Sequence, residues 1–492
     1  MSNINEDILF LLFKELEDDG NALSSCLLVN KNWFNIIIPI LWKNPWKYLK
    51  KEIDSYSPSI NIVKKNKNRI LLEVIVSHLS DESRNRLKNQ YNVVFATSYQ
   101  KPLINYISFC KHADFNTIIN MINLIFSSNN KHIIINKIIN LFINENMKFT
   151  HLYIPNQFDY KIHLIPGFEY CFSGLEFFQC DFYNSYQDVL EELARVSKSI
   201  KTLNIRLCYS NNNTSMSAII KLIESQKELN NVCYSSFQRN VLFHKSIEES
   251  LVKHVNTIQY MKFDDEPCTK FLSYFVNLIS LEINSSDDEN TYWKHLEDSS
   301  LPHLKFLKAK YIPSKCLAKL IENTKGALSE ISIDSLRYNE YGNEELVQSI
   351  AQNCPNLKYL TLMLKNNDII KLEELLINCQ YLNGLIIITD KNFDWNKLFE
   401  ILVESSPIDL FKFKFCSYYN IQVKHLDLFF DKWRNRPPML LHTIPMFSCH
   451  LLNLKEYSAL IEKYKAEGTV KKYDDYLYKR TYEEFEWIKK RI

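Results

Sequence analysis

Apolar residues return along this chain in one spacing, i, i+3, i+5, eleven times between positions 149 and 415. The first four triplets are Phe149/Leu152/Ile154, Leu175/Phe178/Cys180, Ile200/Leu203/Ile205 and Leu229/Val232/Tyr234. Val255/Ile258/Tyr260, Leu278/Leu281/Ile283, Leu304/Leu307/Ala309 and Leu328/Ile331/Ile333 follow. Leu357/Leu360/Leu362, Leu382/Leu385/Ile387 and Leu410/Phe413/Phe415 complete the series. The last two residues of each triplet alternate, as the buried side of a short strand does. Between triplets the spacing becomes helical, as in Ala218-Ile219-Leu222-Ile223 and Leu398-Leu402-Val403. The pattern predicts one strand and one helix per return.

The mean return is about 26 residues, inside the window of leucine-rich repeats and their Leu-x-x-Leu-x-Leu signature. Asn353-Cys354-Pro355-Asn356-Leu357 and Asn378-Cys379-Gln380-Tyr381-Leu382 join a helix end to the next strand. These joints resemble the cysteine-containing type of leucine-rich repeat, which implies that Cys354 and Cys379 are small buried residues. The competing reading, unrelated βα units in an α/β domain, would bring longer apolar strands and glycine-marked strand ends. On the repeat register, Tyr359, Met363, Ile386 and Ile388 face outward as an apolar patch, with Lys412 and Lys414 on its rim. Such a patch fits a substrate protein. The alternative is that the C-terminal helices fold back and bury it.

The first fifty residues follow a different pattern. Ile8, Leu9, Leu12, Phe13 and Leu16 form a helical stripe begun by Asn5 as N-cap, with Glu6 and Asp7 in the first turn. Gly20 is placed to stop this helix. Leu23, Cys26, Leu27 and Asn30 give a second helix, and Trp33, Phe34, Ile37, Ile38 and Leu41 a third, which Pro39 is expected to kink or break. A unit of about forty residues is near the lower limit for independent folding and leaves apolar surface for a partner.

Glu6, Ile8, Leu9, Phe13, Leu16, Leu23, Val29, Lys31, Trp33, Leu41 and Trp42 fall on the positions of an F-box, and the stretch resembles that family. Ile4-Asn5 stands where the family usually has Leu-Pro, and Asn30 where Cys is common. The resemblance implies a Skp-family adaptor held by Ile4, Ile8, Leu9, Phe13, Leu23, Val29 and Trp33. An F-box followed by leucine-rich repeats resembles the substrate receptors of SCF-type cullin–RING E3 ubiquitin ligases. A leucine-rich-repeat scaffold or inhibitor with no ligase role is the alternative.

Helical patterns fill the interval, as in Arg69 to His78 and Leu103 to Phe126, and helices are expected again over Leu451 to Lys465 and Tyr473 to Ile492. The expected fold class is an α + α/β solenoid. It has a three-helix module at 1–48, a helical linker at 49–146, a horseshoe of about eleven degenerate repeats at 147–436 and a helical cap at 437–492.

Composition narrows the function. The net charge of +2 predicts no nucleic-acid or membrane partner. No apolar run is long enough for a transmembrane helix, and the start carries no basic signal region, so a cytoplasmic or nuclear location is expected. The twelve cysteines form no Cys-x-x-Cys pair and read as buried thiols rather than metal ligands or disulfides. Seven glycines leave no phosphate loop to write. Asp264-Asp265-Glu266 and Asp287-Asp288-Glu289 read as solvated loops, and Cys449-His450 is an isolated pair. No cofactor and no catalytic residue is expected.

Overall fold

The computed structural model describes residues 5–49, 58–91, 101–126, 131–182, 187–207, 213–236, 241–264, 266–285, 293–335, 343–445 and 454–475. The chain divides into two compact units, Met1–Gln238 and Arg239–Ile492.

Met1–Gln238 opens with three short helices: α1 (Glu6–Glu15), α2 (Gly20–Cys26) and α3 (Lys31–Lys43). Each begins at a side-chain cap. Asn5 accepts from the Asp7 amide at 3.0 Å, Asp19 from the Asn21 and Ala22 amides at 3.1 and 3.0 Å, and Asn30 from the Trp33 amide at 2.9 Å. These bonds satisfy donors that a helix start leaves unpaired. Asn30 therefore starts α3 rather than ending α2. Gly20 likewise starts α2 instead of stopping α1, and its missing Cβ makes room for Tyr48, whose ring atoms would lie 2.6 Å from one. α3 runs through Pro39 without the expected break.

The same unit carries five parallel strands among its described residues: β1 (His112–Asp114), β2 (His151–Ile154), β3 (Phe177–Phe182), β4 (Thr202–Leu207) and β5 (Asn231–Ser236). Neighbouring strands pair in sequence order. Parallel neighbours need a crossover, and helices such as Phe115–Ile125 and Gln187–Val196 supply it. β1 lies inside the stretch expected to be a purely helical linker. Its triplet is Cys110/Ala113/Phe115, all buried, with alanine and cysteine in leucine slots.

Arg239–Ile492 carries nine parallel strands among its described residues, again in sequence order: β6 (Tyr260–Phe263), β7 (Ser280–Asn284), β8 (Phe306–Lys310), β9 (Glu330–Ser335), β10 (Tyr359–Leu364), β11 (Gly384–Thr389), β12 (Lys412–Ser417), β13 (Met439–Pro445) and β14 (Val470–Asp475). The one-strand, one-helix repeat fits a leucine-rich-repeat-like solenoid, with more strands than the eleven expected. The inward pairs, such as Leu360/Leu362 and Leu385/Ile387, are almost fully buried. Cys354 and Cys379 are buried too, and the Cys379 thiol points at the Cys354 carbonyl at 3.4 Å.

Two expectations change here. The triplet Val255/Ile258/Tyr260 is placed three residues early. Met261 pairs with Leu281, so the inward pair is Met261/Phe263 and Tyr260 lies half-buried on the other face. Both registers have the right apolar spacing, and strand pairing decides between them. The helical cap expected at 437–492 instead begins with β13, continues through a helix at Leu454–Ala466 and ends in β14. Pro437-Pro438 ends a helix without ending the sheet. Thr443 fills a slot that leucine or isoleucine usually holds, and the Thr443 and Tyr473 hydroxyls lie 2.7 Å apart. Residues 476–492, expected to be helical, lie outside the described residues.

Candidate protein-interaction surfaces

In the N-terminal module Leu9, Phe13, Leu23, Ile37 and Ile40 form a small core, with Trp33 half-buried at its edge. The Phe13 and Trp33 rings meet edge-on at 5.1 Å. Leu9, Phe13 and Leu23, three of the residues expected to hold an adaptor, are buried within this core. Ile8 and Val29 do face solvent, at 52% and 57% exposure. Ile4 lies outside the described residues. Phe10, Leu11, Leu12 and Leu28 are also exposed, Leu28 at 89%. On a helix of 3.6 residues per turn, Ile8, Leu11 and Leu12 share one flank of α1, beside the buried stripe of Leu9 and Phe13. Solvent alone does not favour such a flank.

The module is fixed to the first repeat. After α3 a 3-10 turn, Pro45–Leu49, carries Trp46 into the core next to Phe142, with ring centres 6.0 Å apart. The Trp46 indole N–H donates to the His112 carbonyl of β1 at 2.8 Å, and the Lys111 amide donates to the Lys43 carbonyl at 2.9 Å. The Trp42 and Tyr106 rings stack at 5.2 Å. Tyr48 reaches back and donates to the Glu17 carbonyl at 3.0 Å; burial, then the charges of Glu17 and Asp18, push its hydroxyl up to about 12.

The sheet faces away from the repeat helices carry the second kind of surface. At the start of Met1–Gln238 the face is aromatic: His112 stacks on His151 at 3.8 Å, and His151 on Phe177 at 5.3 Å. Burial holds His151 below its ordinary range, against the pull of Glu176 and with the help of Lys43. In Arg239–Ile492 the face over β6–β8 is charged. Glu282 takes Lys262 at 2.5 Å and Lys308 at 3.9 Å, and Tyr260 donates to it at 3.1 Å.

Over β10–β13 the face turns apolar. Ile386, Ile388, Cys416 and Ile444 form one cluster, with Met363 packed against it. The structure thus brings the expected Met363, Ile386 and Ile388 together, but the isoleucines are buried rather than exposed. Tyr359 and Lys412 are half-buried, and the Lys412 ammonium sits 5.3 Å from the Tyr359 ring centre while donating to Asn383 at 3.0 Å. Burial lowers the Lys412 pKa. Lys414 is buried beside Ile386 in the strand register. The helix Leu454–Ala466 does not cover this face. It packs on the helix Val423–Trp433, where the Tyr464 hydroxyl lies 2.8 Å from an Asp427 carboxylate oxygen.

Among the described residues no group of three His, Cys, Asp or Glu side chains is placed to hold a metal ion, and no helix is long and apolar enough to cross a membrane. Burial pushes the Cys110 and Cys379 thiols up to about 12, away from reactive thiolates. Asp264 is hydrogen-bonded by Asn284 at 2.8 Å; Asp287-Asp288-Glu289 and Cys449-His450 lie outside the described residues.

No family model and no curated protein matches this chain. Among solved structures, a complex described as Rad7 and Elc1 in yeast is similar at 14% identity, over 83% of this chain and 88% of that one, with a TM-score of 0.39. The leucine-rich-repeat-containing protein LegL7 from Legionella pneumophila is similar at 14% identity, over 61% of this chain and 90% of that one, with a TM-score of 0.35. The repeat architecture rests on the strand order and register.

Sequence reasoning missed Phe10, Leu11 and Leu28 as exposed positions, and Ile444 as a member of the apolar cluster. The exposed three had no signal separating them from core residues. Ile444 did: it follows Thr443 in a strand that the proline pair concealed.

Proposed function

We propose that this chain is a substrate-recognition subunit of an SCF-type cullin–RING E3 ubiquitin ligase and catalyses nothing itself. Its N-terminal helices would hold a Skp-family adaptor, and its sheet face a protein substrate. The carrying observation is the solvent-facing apolar flank of α1, on a small module that Trp46 joins to a parallel sheet. A bridge of this kind works by proximity, raising the effective concentration of a substrate lysine near a bound enzyme. Under this reading the exposed residues would do the holding. Ile8, Leu11, Leu12 and Val29 remain available, whereas Leu9, Phe13 and Leu23 support them from beneath.

The test is co-purification with a Skp-family adaptor. An Ile8→Asp, Leu12→Asp double variant alters exposed positions, so its stability should stay within about 0.5 kcal/mol per site. The expected result is loss of the adaptor with an unchanged melting curve. Equal capture by both proteins, or capture by neither, would leave the scaffold or inhibitor reading standing.

A further inference from the structure

The sheet faces turned away from the repeat helices are not equally open. Over β11–β13 the face is dry: Ile386, Ile388 and Ile444 are 6% exposed, Lys414 4% and Cys416 1%. Over β6–β8 the charges already pair with one another around Glu282. The face over β2–β5 is different. Tyr153, Phe177, Gln179, Thr202, Asn204 and Asn231 are all partly exposed. In the strand register they form two rows, Phe177, Thr202 and Asn231 in one and Tyr153, Gln179 and Asn204 in the other. The four polar side chains are only partly used. Asn204 Nδ2 donates to Gln179 Oε1 at 3.4 Å, and Asn231 Nδ2 to Thr202 Oγ1 at 3.2 Å. Spare capacity stays on the Gln179 amide nitrogen, the Thr202 hydroxyl and the two asparagine carbonyls. The strip is also neutral. Glu176 pairs with Lys201 at 3.9 Å on one margin, and Asp181 with Arg206 at 3.2 Å on the other. At the aromatic end, burial holds His151 below its ordinary range, so it is uncharged at pH 7.

We propose that the face over β2–β5 binds an extended, uncharged peptide segment of a partner protein. The chemistry of the strip selects this occupant. A peptide backbone presents both N–H donors and C=O acceptors, and side-chain amides and hydroxyls meet both kinds. Three strand spacings, roughly 14 Å, separate β2 from β5, so about four or five extended residues would cross the strip. At the β2–β3 end the Tyr153 and Phe177 rings, with centres 5.0 Å apart, give one apolar side chain of the segment a place to pack. An amphipathic helix needs a continuous apolar groove, whereas β4 and β5 present Thr202, Asn204 and Asn231. A nucleic-acid backbone needs an excess of cations, which the paired margins do not supply. The segment's role as a substrate rests on the ligase reading, but the binding itself requires no adaptor.

The test uses the full chain. A random dodecapeptide library displayed on phage is selected against it, and an enriched peptide is synthesised and titrated by fluorescence anisotropy. The expected winners are uncharged segments carrying one aliphatic or aromatic residue. An Asn204→Asp, Asn231→Asp double variant keeps the shape of both side chains and removes their N–H donors. It should weaken binding at least about tenfold, with an unchanged melting curve. If it melts early, Gln179→Ala replaces it and should weaken binding several-fold. Enrichment of strongly acidic or basic peptides, no enrichment at all, or an affinity indifferent to these substitutions would overturn the proposal. Capture of a Skp-family adaptor by the same variants should be unchanged. Adaptor capture without peptide binding would sink this proposal alone, and peptide binding without adaptor capture would sink the ligase reading alone.

Discussion

Neighbouring leucines and isoleucines in α1 have opposite fates. Leu9 and Phe13 are buried, while Ile8, Leu11 and Leu12 are exposed, although all five are apolar within one short helix. Helical periodicity makes the stripe legible, but an almost continuous apolar arc does not say which edge meets the module and which meets a partner. Buried carboxyls show the same dependence on surroundings. Glu248 is fully buried, accepts from the Cys268 amide at 2.7 Å and from the Thr269 hydroxyl at 2.5 Å, and burial still raises its pKa above 4.5. Between 4.5 and its raised value, the folded protein keeps a proton that the unfolded chain has released. The resulting stabilisation is fully present below 4.5 and is lost as pH rises through the folded value. Relative to Glu248→Gln, the wild-type urea midpoint should therefore fall from pH 4.5 to 7; a constant difference would refute the assignment.

At the scale of elements, strands were the most legible feature because their inward pairs are strictly spaced. β7–β12 lie where the triplets place them. The failures have local causes. Ala113 and Thr443 do not look like leucine slots, and two overlapping apolar triplets compete around Ile258. Caps were partly legible: Asn5 was placed correctly, while Asp19 and Asn30 were absorbed into neighbouring patterns. The joint between α3 and β1 was not legible at all, because an indole reaching a carbonyl sixty-six positions away leaves no periodicity. Trp46→Ala should cost about 3–5 kcal/mol, as truncation of a buried aromatic does. The melt should move down, and limited proteolysis should cut first between residues 43 and 58. Unchanged proteolysis would show that the joint is held elsewhere.

At the scale of the molecule, Met1–Gln238 holds the whole proposed adaptor flank together with its own strands and core. Residues 1–238 expressed alone are expected to melt cooperatively and to capture a Skp-family adaptor as the full chain does. A fragment that folds but captures nothing would separate the flank from the reading built on it. The repeat class was legible from spacing alone, whereas the dry stretch of sheet was not, because burial on a strand's second face depends on what lies above it. The Trp46 joint has one further consequence. A flexible leash would let cargo sample a sphere around its anchor, trading reach for aim. A module locked by an indole to the first strand gives up that freedom, so cargo carried on β1–β5 would be presented at a set bearing. Which of its side chains came into range would then be decided by angle more than by length of chain.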